Sequence, residues 1–103
     1  MRIENGKYSA DEFQERWSLG ESGIGRKRIF SETIKFTQPF ENPPKVIIAL
    51  SGFDIFDNSS EYSRTSLDVQ AARITIEGFT VQFIAYDTSR VKRLTVDWLA
   101  IGA

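Results

Sequence analysis

Tyr86 and Asp87 are followed at close range by Arg90 and Lys92, and these residue types together carry a definite chemistry. An aromatic ring at the mouth of a turn stacks on the apolar face of a sugar, a neighbouring carboxylate accepts two hydroxyl protons, and a cation donates to ring or carboxyl oxygens. The same residues also make an ordinary hairpin with an exposed tyrosine and an ion pair. A second cluster, Glu21-Ser22-Gly23-Ile24-Gly25-Arg26-Lys27-Arg28, sets a basic run beside two glycines. Such a run binds phosphate or an acidic sugar, or is a solvated loop. Asp54-x-x-Asp57-Asn58 offers oxygens to a cation, yet it lacks the ligand spacing and bidentate glutamate of a calcium loop and reads more simply as an Asx-rich turn. Asp54 and Asp57 are also of the residue type that glycosidases use, but nothing in the sequence sets their separation or raises a pKa.

What is missing narrows the field further. The 103 residues include no His and no Cys, which excludes a Ser-His-Asp triad, a Cys nucleophile, an imidazole or thiolate zinc site and a disulfide frame. Carboxylate chemistry, a Lys or Tyr base and a hard cation remain, none with a positive motif, so the expectation is a protein that is not an enzyme and has neither cofactor nor metal. Thirteen Lys and Arg against fourteen Asp and Glu leave a net charge of -1, which gives no general attraction for nucleic acid. No run of 18 apolar residues is present to insert in a membrane, and Met1-Arg2-Ile3-Glu4-Asn5-Gly6-Lys7 has no apolar signal core. The expected localisation is cytoplasmic synthesis, with release by lysis or a non-classical route, or display on a particle surface.

The elements that must position these groups read as strands. Hydrophobic residues make up 41% and aromatic residues 13% of the chain, enough for one core, and residues 1–103 are expected to form one domain. Apolar residues recur at every second position from Ser31 onward: Ile34 and Phe36; Leu67, Val69 and Ala71; Phe79, Val81, Phe83 and Ala85; Leu94, Val96 and Trp98. Only 46–50, Val-Ile-Ile-Ala-Leu, is continuously apolar, as for a strand covered by the core on one face and by another subunit on the other. Turn residues at 39–44, at Glu77-Gly78 and at Asp87-Thr88-Ser89 separate the runs and point to antiparallel neighbours in a sandwich or barrel. Residues 51–63 read as a long polar loop interrupted by Phe53 and Phe56. The stretch up to Trp17 reads as strand or irregular, with a helical turn over 10–16 as a further option.

From 34 to 102 the chain resembles the H-type lectins, the family of the snail agglutinins and of the C-terminal domain of the discoidins. The matching pieces are Ile34-x-Phe36, Phe40-x-x-Pro43-Pro44-x-Val46, Leu50-Ser51-Gly52-Phe53-Asp54, Ile74-Thr75-x-x-Gly78-Phe79-Thr80-Val81, Asp87-Thr88 and Val96-x-Trp98-Leu99-Ala100-Ile101-Gly102, with Asn5-Gly6-Lys7 and Trp17 extending the likeness to the N-terminus. The resemblance implies a six-stranded antiparallel β-sandwich, a homotrimer, and metal-free binding of sugar at the clefts between protomers. By position, Tyr86 falls where a ring stacks on the sugar, Asp87 where a polar side chain reaches its hydroxyls, Lys92 near where another aromatic contributes, and Arg64 nearest to the family's arginine. In the loop before the second strand, Gly23 and Gly25 are followed by Arg26, where members of the family place an acidic residue for an axial hydroxyl. That difference moves the expected ligand from plain N-acetylgalactosamine towards an acidic surface glycan or polysaccharide.

The function expected from residues and resemblance together is a carbohydrate-binding module that makes and breaks no bond. The alternative is a structural one: the same sandwich as a trimeric knob or adhesion tip of a phage-like particle or a larger surface assembly.

Overall fold

The computed structural model describes residues 1–21, 26–56, 65–87 and 89–103. Its strands are β1 (Arg2–Asp11), β2 (Lys27–Lys35), β3 (Lys45–Ile55), β4 (Leu67–Ala72), β5 (Gly78–Tyr86) and β6 (Val91–Gly102). They form two three-stranded sheets in the orders β1-β6-β3 and β2-β5-β4, and every pairing is antiparallel. This is the six-stranded sandwich that the resemblance implies, and one of the two antiparallel architectures, sandwich or barrel, that the alternation allows. The two central strands, β5 and β6, supply most of the core. Phe79, Val81, Phe83 and Ala85 from one and Leu94, Val96, Trp98 and Ala100 from the other are all buried.

β1 is a strand without an apolar stripe, because its inward side holds Arg2, Glu4, Gly6 and Tyr8. The charges there are matched. The Glu4 carboxylate accepts from the Thr37 backbone N–H at 3.1 Å and from its hydroxyl at 2.9 Å. Arg2 donates to the carbonyls of Pro39 and Gln38 and lies 4.0 Å over the Phe40 ring. After β1 the chain makes successive turns, Gln14 N–H to the Asp11 carbonyl and Trp17 N–H to the Gln14 carbonyl, and not a helical turn.

The apolar run 46–50 lies in β3, an edge strand. Register sets Val46 and Ile48 opposite Ala100 and Trp98 on the core side, and Ile47 and Ala49 opposite Leu99 and Asp97 on the outer side. The core covers one face, and Ile47 on the other is 46% exposed. β3 also continues through Ile55, with irregularities between Leu50 and Gly52 and between Asp54 and Ile55. Residues 51–55 are therefore strand and not loop. The bulges shift the pleat, which is why the alternation is lost there.

Candidate functional site

At one end of the sandwich, a buried cation ties the chain before β2 to the β5–β6 turn. Arg28 alternates inward with Phe30 on β2 and is only 8% exposed. Its Nη1 donates to the carbonyls of Leu19, at 3.3 Å, and Glu21. Its Nη2 donates to those of Asp87 and Ser89, at 3.0 and 2.8 Å. Burial lowers the Arg28 pKa, and Arg26 adds to that, while Glu21 and Asp87 act in the opposite sense. A guanidinium suits the task because its rigid fork of donors serves several carbonyls at once. The same region is laced by main-chain bonds from Asp87 N–H to the Arg26 carbonyl, Ser89 N–H to Tyr86, and Val91 N–H to Leu19. Asp87 sits in the left-handed region with φ 52°, a conformation Asp tolerates better than most residues.

Tyr86, last in β5, lies on the outer face of the β2-β5-β4 sheet. Its cross-strand partner is Lys27, and its hydroxyl donates to Asp68 Oδ2 on β4 at 2.8 Å. The ring is thus tethered at its far end, while the carboxylate of Asp68 retains acceptor capacity for a second donor. Asp68 was not among the residues singled out from sequence. The Leu67-Asp68-Val69 alternation places it on the outer face, but only strand order reveals that β4 neighbours β5.

The site residues expected from sequence are distributed as follows. Arg26, Tyr86 and Asp87 come together at this end, with Arg26 exposed and joined to Asp87 through the backbone. Lys92 belongs to the other sheet, and its ammonium stands 4.8 Å over the Phe56 ring, which it shares with the Arg90 guanidinium at 4.3 Å. Arg90 also donates to the Gly20 carbonyl at 2.8 Å. Gly23, Gly25 and Arg64 lie outside the described residues, as do Asp57 and Asn58. Asp54 is on β3 with Arg93 as its cross-strand partner. Among the described residues no group of three His, Cys, Asp or Glu is placed to hold a metal ion.

Two phenols at this sandwich hold their protons above the ordinary value. For Tyr86 the first cause is its hydrogen bond to Asp68, and for Tyr8 it is burial, followed by the charge of Glu32. The folded chain therefore binds these protons more tightly than the unfolded one. Their contribution to stability is complete below the unfolded value of 10.0 and is lost as pH rises through the higher folded values. Through these two phenols urea midpoints are expected to fall on the alkaline side, and Asp68→Asn should bring the Tyr86 phenol back towards ordinary behaviour in an ultraviolet titration.

The chain belongs to the H-type lectin domain family, whose profile matches residues 31–101. It is 33% identical over 70 residues to the "ATP synthase subunits region ORF 7" protein of Fuscovulum blasticum, a stretch covering 68% of this chain and 57% of that one. Among solved structures it is similar to recombinant discoidin II of Dictyostelium discoideum, with a TM-score of 0.77 at 27% identity over 96% of this chain. The likeness to wild-type discoidin II from the same organism has a TM-score of 0.78 at 27% identity over 98% of this chain. In both cases the chain spans 36% of the discoidin chain.

Proposed function

We propose that this chain is a carbohydrate-binding module acting as a homotrimer, without catalysis and without metal. The observation that carries the reading is the tethered Tyr86 ring with Lys27 and Asp68 beside it, at the end where Arg28 orders the turn bearing Asp87. The ring supplies the stacking surface, Asp68 and Asp87 accept from hydroxyls, and Arg26 and Lys27 donate. Gly23, Gly25, Arg64 and Lys92 complete the proposed site by their place in the family pattern. With no calcium-type spacing in Asp54-x-x-Asp57-Asn58 and no His or Cys to hold a softer ion, binding is expected to survive a chelator.

The trimer is supported by the outer face of the β1-β6-β3 sheet. Register puts Ile3 beside Ile101, and Leu99 beside Ile47. Ile3 is 58% and Ile47 46% exposed, a contiguous apolar surface of the kind that a second copy covers. Joining sites in this way has an energetic purpose. A monosaccharide held at about millimolar corresponds to only about 4 kcal/mol, and presenting several sites together multiplies apparent affinity by roughly 10² to 10⁴. Light scattering at micromolar concentration should report three chains, and Ile47→Glu should dissociate them.

A glycan array on the purified protein, compared with Tyr86→Ala, tests the binding. Loss of the stacking ring is expected to cost about 1–3 kcal/mol per site in a protein with unchanged circular dichroism. If Tyr86→Ala and Asp87→Asn both leave binding untouched in a folded oligomer, the site lies elsewhere and the adhesion-tip reading takes its place.

A further inference from the structure

The outer face that carries Tyr86 also holds a depression further along β5. Two adjoining clefts, of about 180 and 200 Å³, share Thr33, Arg73 and Thr80. Thr33 and Thr80 are cross-strand partners. On its other side Thr80 faces Ala72. Arg73 follows with φ 49° and lines both clefts. Lys35 and Glu77 close one end, and Arg16, held to Glu32 at 2.9 Å, closes the other. Among the described residues neither Arg73 nor Lys35 has an ion-pair partner, so the uncommitted charge is two cations against the single carboxylate of Glu77.

The chemistry of this depression differs from that at Tyr86. Its aromatic residue, Phe79, is 1% exposed and offers no ring for a neutral sugar to stack on. A guanidinium and an ammonium lining one cleft with a pair of hydroxyls suit an anionic group with hydroxyls next to it. Between the two places the face is continuous: Ser31, Gln82 and Gln70 stand in one row, and Ile29, Ile84 and Asp68 in the next. Thr80 and Tyr86 are six residues apart on one strand, about 20 Å at about 3.4 Å per residue, a distance that several linked sugars span and a single one does not.

We propose that the outer face of the β2-β5-β4 sheet is a track for an acidic polysaccharide, with one sugar at Tyr86 and a carboxylate-bearing sugar several units further on at Arg73, Thr33 and Thr80. This rests on the carbohydrate-binding reading and deepens it: the ligand is a uronate-containing chain and not an isolated sugar. It leaves the apolar face of the opposite sheet free for the trimer contact.

The test uses calorimetry on the whole protein with disaccharide and octasaccharide fragments of polygalacturonate, alginate and hyaluronan, and with methyl-esterified octagalacturonide. The best-bound octasaccharide should bind at least roughly tenfold more tightly than its disaccharide, because its second contact is intramolecular. Arg73→Gly should remove that gain and leave the disaccharide unaffected. Glycine is at ease at this φ, so the variant keeps the fold. Esterified octagalacturonide should show no gain from chain length. Equal affinity for the two lengths, a gain that survives Arg73→Gly, or binding of neutral glycans only, overturns the track while Tyr86-dependent sugar binding still stands. Failure of every glycan, neutral or acidic, to bind overturns the carbohydrate reading itself.

Discussion

Replacing Trp98 with alanine is expected to remove about 3–5 kcal/mol of stability, a large part of the roughly 5–15 kcal/mol that holds a domain of this size together. Trp98 sits on β6, the centre of its sheet, 7% exposed, and its ring closes a chain of aromatic contacts between the sheets. Phe79 meets it edge-on at 5.2 Å between centroids and Phe36 at 6.0 Å, and Phe36 in turn meets Phe40 edge-on at 4.9 Å. On the neighbouring strand Gly6 is the cross-strand partner of Trp98. A Cβ on Gly6 would come within 2.7 Å of the indole, so the ring occupies the space that a side chain there would fill. An alanine at 98 therefore opens a cavity with nothing on β1 to refill it. Trp98→Phe retains much of the volume and should cost less, about 1–3 kcal/mol. Urea unfolding followed by the fluorescence of Trp17 and by circular dichroism reads both. A loss below about 1 kcal/mol for the alanine variant would mean that the indole is not what joins the sheets at this point. Because the defect is global, ligand binding should weaken through the population of folded chain and not selectively for one glycan.

The strands with an apolar period were legible because burial there is decided by neighbours two residues apart. Phe79, Val81 and Phe83 alternate with the half-buried polar residues Thr80 and Gln82 whichever sheet they enter. β1 was harder, since its inward positions are Arg2, Glu4, Gly6 and Tyr8, and their acceptability depends on partners more than thirty residues away, Thr37, Gln38 and Pro39 among them. The C-terminal part of β3 was masked by bulges, which change the period from within. In the candidate site, Tyr86 and Asp87 stood out by residue type and by their place in the family pattern. Asp68 depended on strand order, which no local pattern encodes. Arg28 is the instructive case. Within the basic run it looks like one more solvated cation, yet it shares parity with Phe30, and that parity carried the signal that it points inward.

Removing the Arg28 guanidinium is expected to weaken binding by more than its effect on folding accounts for. In Arg28→Met the stem is kept, while the carbonyls of Leu19, Glu21, Asp87 and Ser89 lose their common donor. A buried carbonyl without a donor costs about 1–3 kcal/mol. With water able to reach the exposed Glu21 and Asp87, the loss should total about 2–4 kcal/mol. Arg28→Lys should recover little of this, since one ammonium is a compact group of donors and does not reproduce a fork that spans two chain segments. The effect should be local. Amide protection at Asp87, Ser89 and Val91, which donate to Arg26, Tyr86 and Leu19, is expected to collapse, while that of the β1–β6 ladder persists. In the proposed binding mode the turn bearing Asp87 and the chain before β2 must be fixed relative to the Tyr86 ring before a sugar arrives, because ordering them on binding draws on an affinity that is small to begin with. Glycan affinity should therefore fall further than the shift in urea midpoint accounts for. A variant with the same midpoint shift placed in the core, such as Val81→Ala, should keep its affinity once folded. If Arg28→Met and that core variant lose binding in the same proportion, Arg28 supports the fold alone and does not position the site.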